Sequence, residues 1–467
     1  MGSTNKQLRK RRVYSGNSSR DNRTIFQRDR DRVLYTPAFR RLSGVAQVVH
    51  VNTERGYHNR LTHSLKVAQV GKSLAEHLNE QTDDEIIDEA GGLDKYVVET
   101  ACLAHDLGHP PFGHPAEEAI QAKLENKGVP DSFEGNPQSF RIVNNVAIHK
   151  TPYGSQHQGL DLTLASLNAI LKYPWPRGST GKKKKKWGRY STEQSEFDKV
   201  RQLRTPGSRS ESMSLEAKIM DWADDLTYAI HDVGDFYQAG LIPLDELVRD
   251  TVEREEFVDE FEDQHDLHSN TWDATGFLDN ALPRLASLAG RSKTNSMSHI
   301  LETPFDGTSQ ERASLSFMAS ELVERYLGLD SNVNVVVDPS EEGGLDIDPV
   351  LLDEVAILHY LCAYYVFRNP ALLAQQKGHK KIVKELYEIL FNSTEEDSDY
   401  RGIIPSPFDE KVELLHAGQL RPQKVDVKTY RARIVADIIA SMTEQQAMEL
   451  YERVTGRSPG LVTDRII

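Results

Sequence analysis

A chain of 467 residues, 38% hydrophobic and 27% charged, can bury a substantial core, which excludes a disordered, fibrous or low-complexity protein. Its 56 Lys and Arg against 71 Asp and Glu give a net charge of −15, which argues against general coating of nucleic acid and for a soluble enzyme or an interaction protein. Two cysteines, Cys102 and Cys362, can build neither a disulfide framework nor a four-thiolate zinc site, so a reducing, cytoplasmic setting is expected.

The first 41 residues hold twelve Lys and Arg against three Asp, while acidic stretches lie at 243–265 and 338–354. Such a basic arm, 1–32, suits an anionic ligand, a contact between subunits or a solvated tail. No apolar h-region follows its basic residues, so no export signal is expected. From there helical periodicity dominates, and strand signals are confined to Val45–Val51 and Val333–Val337. The expected fold class is all-α.

Residues 61–78 place Leu61, Leu65, Ala68, Leu74, Ala75 and Leu78 on an apolar stripe, and 93–105 and 212–239 read the same way. Between them, 173–210 is rich in Pro, Gly, Ser and Lys, and its run Lys182–Lys186 reads as an exposed loop inserted in a core of 33–240. The segments 247–263, 349–367, 378–391 and 428–455 carry helical patterning in a C-terminal region, 241–467, expected to pack on that core. The longest apolar stretch, Val355–Phe367, is interrupted by His359 and falls short of the roughly 20 residues a spanning helix needs, so no membrane span is expected.

The most informative segment is Ala104-His105-Asp106-Leu107-Gly108-His109-Pro110-Pro111-Phe112-Gly113-His114-Pro115, which packs three histidines and a carboxylate into ten residues bounded by Gly and Pro. Imidazole nitrogen and carboxylate oxygen together suit a divalent cation, although a capped polar turn would use the same residue types. His63 opens an amphipathic helix, where a lone histidine ordinarily satisfies itself in a core. Asp224 and Asp225 interrupt the apolar face of 212–239, and an aspartate there is costly unless paired or metal-bound. Asp224, Tyr228 and Asp232 are four apart and share one helical face.

In this order, His63, His105-Asp106 and Asp224 resemble the HD-domain metal-dependent phosphohydrolases, and within them the deoxynucleoside triphosphate triphosphohydrolases of the bacterial dGTPase type. Supporting strings are Thr36-Pro37-Ala38-Phe39-Arg40-Arg41-Leu42, Asn59-Arg60-Leu61-Thr62-His63-Ser64, Phe133-Glu134-Gly135-Asn136-Pro137-Gln138, Gly159-Leu160-Asp161-Leu162-Thr163 and Asp224-Asp225-Leu226-Thr227-Tyr228, with Arg433-Ile434-Val435-Ala436-Asp437 similar further on. The resemblance implies an HD helical fold and hydrolysis of a dNTP, dGTP foremost, to deoxynucleoside and tripolyphosphate. It implies one divalent ion (Mn²⁺, Mg²⁺, Fe²⁺, Co²⁺ or Ni²⁺) held by His63, His105, Asp106 and Asp224, with Asp225 as the alternative if the register slips by one.

By the same resemblance His114 is the general acid, with Glu117 one turn along, if Pro115 opens a helix, to orient it and raise its pKa, and His109 faces the α-phosphate. Arg60, Asn136, Lys172, Tyr173 and Lys186 are implied as substrate contacts. Gln47 and Asp232 are implied on the 3′-hydroxyl, and Tyr228 where a ribose 2′-hydroxyl would have to fit. Two departures stand out: Val45-Ala46-Gln47 replaces a Lys-Thr-Gln segment, and Phe133 replaces the animal branch's histidine. Relatives commonly form hexamers or tetramers, and some take a second nucleotide or single-stranded nucleic acid as effector, so a homo-oligomer is expected. Two other readings keep some of these residues: an HD hydrolase of another phosphoester, which needs only the metal set, and a non-catalytic nucleotide- or nucleic-acid-binding protein using the basic arm.

Overall fold

Helix starts follow from capping chemistry. Thr24, Thr36, Thr163, Thr308 and Thr443 each accept a backbone N–H at N3, and Asp94, Asp250, Asp348 and Asp426 cap four further helices. The computed structural model describes residues 2–13, 22–48, 58–148, 159–203, 211–278, 304–305, 307–329, 333–420 and 425–458. In chain order the helices are α1 (Gly2–Arg9), α2 (Ile25–Leu34), α3 (Pro37–Arg41), α4 (Arg60–Gln81), α5 (Asp84–Glu89), α6 (Lys95–Ala104), α7 (His114–Asn126), α8 (Gly135–Arg141), α9 (Leu164–Ala169), α10 (Gly181–Lys185), α11 (Gln194–Val200) and α12 (Leu215–Gln238). There follow α13 (Leu244–Arg249), α14 (Thr251–Gln264), α15 (Ser309–Tyr326), α16 (Pro349–Leu361), α17 (Pro370–Ser393), α18 (Phe408–His416), α19 (Val427–Ala440) and α20 (Glu444–Val454). Among the described residues the one sheet is β1 (Val335–Val337) antiparallel to β2 (Leu345–Ile347), with Val336 paired to Asp346. The fold is all-helical, as the periodicity predicts.

The chain forms two units, one of residues 1–72, 91–220 and 374–467, the other of 73–90 and 221–373. In the first, α2 lies along α6, and α6 against α9. Behind the His-Asp segment, α7 buries Ala116, Ala119, Ile120 and Leu124 in a core shared with Val383, Leu386 and Leu390 of α17 and Val435, Ile438 and Ile439 of α19. At roughly 1.5–3 kcal/mol per buried aliphatic side chain, this cluster holds the helix whose first turn carries His114. In the second unit α12 donates its Trp222 Nε1 to the Tyr326 carbonyl at 3.1 Å, and Phe257 and Phe261 of α14 pack on Tyr360 of α16.

Several sequence expectations change. Leu65 is 45% exposed, because the buried face of α4 runs through Val67, Val70, Leu74 and Leu78, one step round the helix from it. Of Val45–Val51, the described part makes an isolated bridge from Ala46 to Asn59 rather than a strand, and residues 49–51 lie outside the described residues. The 173–210 insertion is not simply an exposed loop: α10 and α11 form within it, and Trp187 and Tyr190 are fully buried, although Lys182, Lys184 and Lys185 are exposed. Residues 204–210 of it lie outside the described residues.

Pro349–Val366, with mean hydropathy 1.3 over 18 residues, does reach the length and apolarity of a minimal membrane span, contrary to the expectation that no stretch would. More than half of it is buried within the protein, and it carries Glu354 paired with Arg325 and Asp353 accepting from the His268 and Ser269 amides, the arrangement of a core helix. At Arg9, Arg12 and Arg32 the basic arm is not a solvated tail, whereas Arg11 and Arg23 are exposed. Arg12 Nη1 sits 2.9 Å from Asp29 Oδ1 with both side chains buried, Arg9 bonds Glu216, and Arg32 donates to the Leu160 carbonyl. Arg20 and Asp21 lie outside the described residues.

Candidate metal and phosphate site

The site begins where α6 ends. His105 is its C-cap, and its Nδ1 lies 2.6 Å from the Cys102 carbonyl. Since a carbonyl can only accept, Nδ1 carries the proton and Nε2 presents its lone pair, the tautomer a metal-ligating histidine needs. His63, in the first turns of α4, is 2% exposed, and its ring centroid stands 5.6 Å from that of His105. One donor atom from each of His63, His105 and Asp106 lies within 4.8 Å of the others. Two imidazoles and a carboxylate at that spacing fit a divalent ion with coordination positions left over.

Asp106 is held by its neighbours. Burial alone would raise its pKa, but Arg60 first, then His105 and His109, outweigh burial and hold the carboxyl well below the usual range. Arg60 Nη1 donates to Asp106 Oδ2 at 2.8 Å, and Asp106 Oδ1 faces His109 Nδ1 at 2.9 Å. The other nitrogen of His109 lies 3.3 Å from Glu117 Oε1. Arg60 Nε and Gln47 Oε1 are buried and meet no hydrogen-bond partner among the described residues, so one donor and one acceptor remain for a ligand.

The next turn is tightly built. Gly108 cannot carry a side chain, since a Cβ there would stand 2.1 Å from the Gly135 carbonyl oxygen and 2.3 Å from the Ser139 nitrogen. Ser139 Oγ donates to the His105 carbonyl at 2.6 Å and accepts from the Gly108 amide at 2.9 Å. Arg41 donates to the carbonyls of Leu107, His109 and Met442, all near 3 Å; burial lowers its pKa to about 9, with Arg60 adding to that and Asp106 opposing. Glu444 accepts from the amides of Ala46 and Phe112. Pro115 does open α7, after Gly113 at φ 60°.

Glu117 is buried one turn into α7; burial would raise its carboxyl, but His109, His114, Lys186 and Arg60 bring it below the usual value. Its Oε1 approaches His109 Nε2, and its charge pulls the His114 pKa up in the expected direction, although burial of His114 outweighs that pull. His114 is exposed at the start of α7, its ring 6.0 Å from that of His109, and its pKa is lowered: desolvation outweighs the pull of Glu117, and His109, Arg60 and Lys186 add to the lowering.

Lys186 and Asn136 meet at Glu134. Lys186 Nζ donates to Glu134 Oε1 at 2.6 Å, Asn136 Nδ2 donates to the same oxygen at 2.9 Å, and Glu134 caps α8 by accepting from the Asn136 amide. Burial raises the Glu134 pKa despite Lys186, while Glu134 and Glu117 raise Lys186 against its own burial. Tyr173 is half-buried with its ring 5.6 Å from that of Trp175, and Lys172 is half-buried beside it in the chain.

Asp224, Asp225, Tyr228 and Asp232 belong to the second unit. There the Asp225 carbonyl accepts from His359 Nε2 at 2.9 Å, Tyr228 stands edge-on to the His359 ring, and Asp232 is buried. Asp224 is half-buried on the same helix.

Glu134, Ser139, Arg41 and Glu444 escape sequence reasoning as site-forming residues. Glu134 alone leaves a local trace, as an acidic residue before Gly-Asn-Pro at a helix start.

A His-Asp centre at a helix end, braced by neighbouring helices, defines an HD-domain protein, and residues 60–229 match the family model described as HD domain, while 345–453 match the phosphohydrolase-associated domain. The chain is 33% identical over 452 residues to a deoxyguanosinetriphosphate triphosphohydrolase-like protein of Streptomyces coelicolor, covering 94% of each. A relative of the same description from Corynebacterium efficiens is 32% identical over 457 residues, covering 94% of this chain and 93% of that one, and one from Shewanella sediminis is 27% identical over 489 residues, covering 94% of each. The chain belongs to the deoxyguanosinetriphosphate triphosphohydrolase-like family of HD-domain phosphohydrolases.

Proposed function

We propose that this protein hydrolyses deoxynucleoside triphosphates, dGTP foremost, to deoxynucleoside and tripolyphosphate. The observation that carries the reading is the His63, His105 and Asp106 group with the Arg60 guanidinium on its carboxylate, a metal site and an anion site sharing one residue. A divalent ion bound there supplies a Lewis acid for the α-phosphoryl group and lowers the pKa of a bound water. Family membership supports phosphohydrolase chemistry, and the relatives' description names a deoxyguanosine triphosphate.

The chain's own residues divide the remaining work. Arg60 keeps Asp106 ionised and offers its Nε to a phosphate oxygen. His109, set between Asp106 and Glu117, borders the α-phosphate position. Water attacks the α-phosphorus, the bond to the 5′-oxygen breaks, and His114 in its protonated form gives that oxygen its proton. Asn136 and Lys186 serve the outer phosphates, Lys186 exchanging its Glu134 partner for a more highly charged one. Gln47 Oε1 is the acceptor for a sugar hydroxyl. Asp224 as a further ligand, Lys172 and Tyr173 as phosphate contacts, Tyr228 and Asp232 as sugar contacts, and assembly into a homo-oligomer rest on the sequence resemblance.

Metal-reconstituted protein incubated with each dNTP and with GTP tests this, with products resolved as nucleoside, monophosphate, tripolyphosphate and phosphate. Deoxynucleoside with tripolyphosphate, abolished in His105→Ala, is the expected result. Monophosphate or free phosphate as the first product would reject the reaction.

A further inference from the structure

The lysine run 182–185 lies outside the site residues, yet the chain fixes it in place. Trp187 is fully buried, Trp175 Nε1 donates to the Lys186 carbonyl at 2.8 Å, and the Gly188 and Gly178 amides donate to the carbonyls of Trp175 and Lys183. α10 is therefore a positively charged edge on a pinned segment. Lys183 pairs with Glu211, and Lys182 Nζ lies 5.5 Å from the Tyr173 ring. Lys182, Lys184 and Lys185 are exposed, and among the described residues no carboxylate pairs with any of these three.

In a chain of net charge −15, leaving such neighbours unneutralised costs mutual repulsion that one interspersed acid would relieve. Position gives the run a use. Its next residue, Lys186, bonds Glu134; Glu134 caps α8 at Asn136; and a Cβ on Gly135 between them would stand 3.0 Å from Glu117 Oε1 and 3.2 Å from His109 Cε1. The positive edge thus adjoins the turn that borders the site within the same unit.

We infer that the exposed lysines of α10 form a capture surface for a linear polyphosphate, holding the outer phosphates of the approaching ligand before Lys186 and Arg60 engage them. On the proposed function, on which the ligand's identity rests, that polyphosphate is the triphosphate of the substrate. An acidic protein repels such a polyanion at long range, and a local basic edge reverses the field along one approach. The interaction is exposed, so salt screens it over about 10 Å at 0.1 M.

Calorimetric titration of the full chain with inorganic tripolyphosphate, in metal-free buffer at about 50 mM and about 300 mM salt, reads this surface directly. It does so even if no deoxynucleotide is hydrolysed, because the probe has no sugar ester to cleave. Two variants are compared with the parent: the triple substitution Lys182→Gln, Lys184→Gln, Lys185→Gln, and the triple to Arg, which keeps the charge. The Gln triple is expected to bind about five- to tenfold more weakly at low salt and to lose most of the salt dependence, with the Arg triple near the parent. Equal affinity and equal salt dependence in parent and Gln triple would overturn the inference, as would no binding by the parent. An Arg triple as weak as the Gln triple also overturns it, and so does a loss confined to single-stranded oligonucleotide with tripolyphosphate unaffected.

Discussion

Arg60 Nη1 donates to Asp106 Oδ2 at 2.8 Å, with both side chains at most 5% exposed, so the guanidinium at the start of α4 holds the carboxylate at the end of α6 in its charged form. Arg60→Ala removes the largest opposing influence on a carboxyl that burial pushes up, and the Asp106 pKa rises. Divalent-ion binding by the variant is expected to weaken more than tenfold and to fall off further between pH 7.5 and 5.5 than in the parent, where Asp106 stays ionised. Direct titration with Co²⁺ at the two pH values checks this; a variant with the parent's pH dependence would contradict it. The stability linked to Asp106 has the sign of a depressed carboxyl, present above the unfolded value of about 3.9 and lost as pH falls through the native one.

Ser139→Ala should loosen the metal centre without touching it. The hydroxyl ties the His105 carbonyl to the Gly108 amide, and its loss leaves both groups partly unsatisfied, at a cost of about 1–3 kcal/mol. Metal affinity is expected to fall about tenfold, in the range of lost supporting contacts, while metal-free stability falls by no more than that cost. Metal titration and urea unfolding of one preparation separate the two effects.

Gly108→Ala is the severe case. Its Cβ would overlap the backbone of Gly135 and Ser139, neither of which can turn aside like a side chain, so α8 must move away from the His-Asp turn. A loss above about 3 kcal/mol in unfolding free energy is expected, with metal binding abolished. A well-folded, metal-binding G108A protein would mean that the close approach of the two segments is wrong.

Behind the site lies a buried charge network. Arg141 meets Asp437 through Nε at 2.9 Å and Nη2 at 2.7 Å and also pairs with Glu193, all three nearly without exposure. Arg141→Met strands two buried carboxylates and should destabilise by about 3–5 kcal/mol, with Asp437→Asn added to it restoring part of the loss.

Nearby Lys411 is 3% exposed, with Nζ 3.4 Å from the Asn145 carbonyl, and burial brings its pKa down to about 8. Above pH 8 the unfolded chain keeps a proton the native one has lost, so stability linked to Lys411 rises with pH up to about 10.4. Lys411→Met should stabilise by about 1–3 kcal/mol at pH 7 and abolish that rise in chemical unfolding across the interval.

The sequence made the chemistry legible and the bracing illegible, for one physical reason. His105, Asp106 and His109 lie within one turn of each other, so residue type and spacing already bring their side chains together. Helix patterning likewise placed α4, α6 and α12, since a 3.6-residue period is local. Arg41 reaching Met442 across 401 positions, or Gln138 reaching Asp437 across 299, depends on packing that no window of sequence contains. The same holds for α10 and α11: Tyr190 donates to the Glu134 carbonyl and lies under the Arg433 guanidinium, both far outside the segment, while its composition alone reads as loop.

Isotope tracing follows the proposed water attack on the α-phosphorus beside the His63, His105 and Asp106 centre. Hydrolysis of dGTP by the metal-reconstituted protein in ¹⁸O-enriched water is predicted to place the label in tripolyphosphate, with none in the 5′-hydroxyl of deoxyguanosine and no turnover by Asp106→Ala. Label in the nucleoside, label in released monophosphate or orthophosphate, or undiminished turnover by that variant would contradict it.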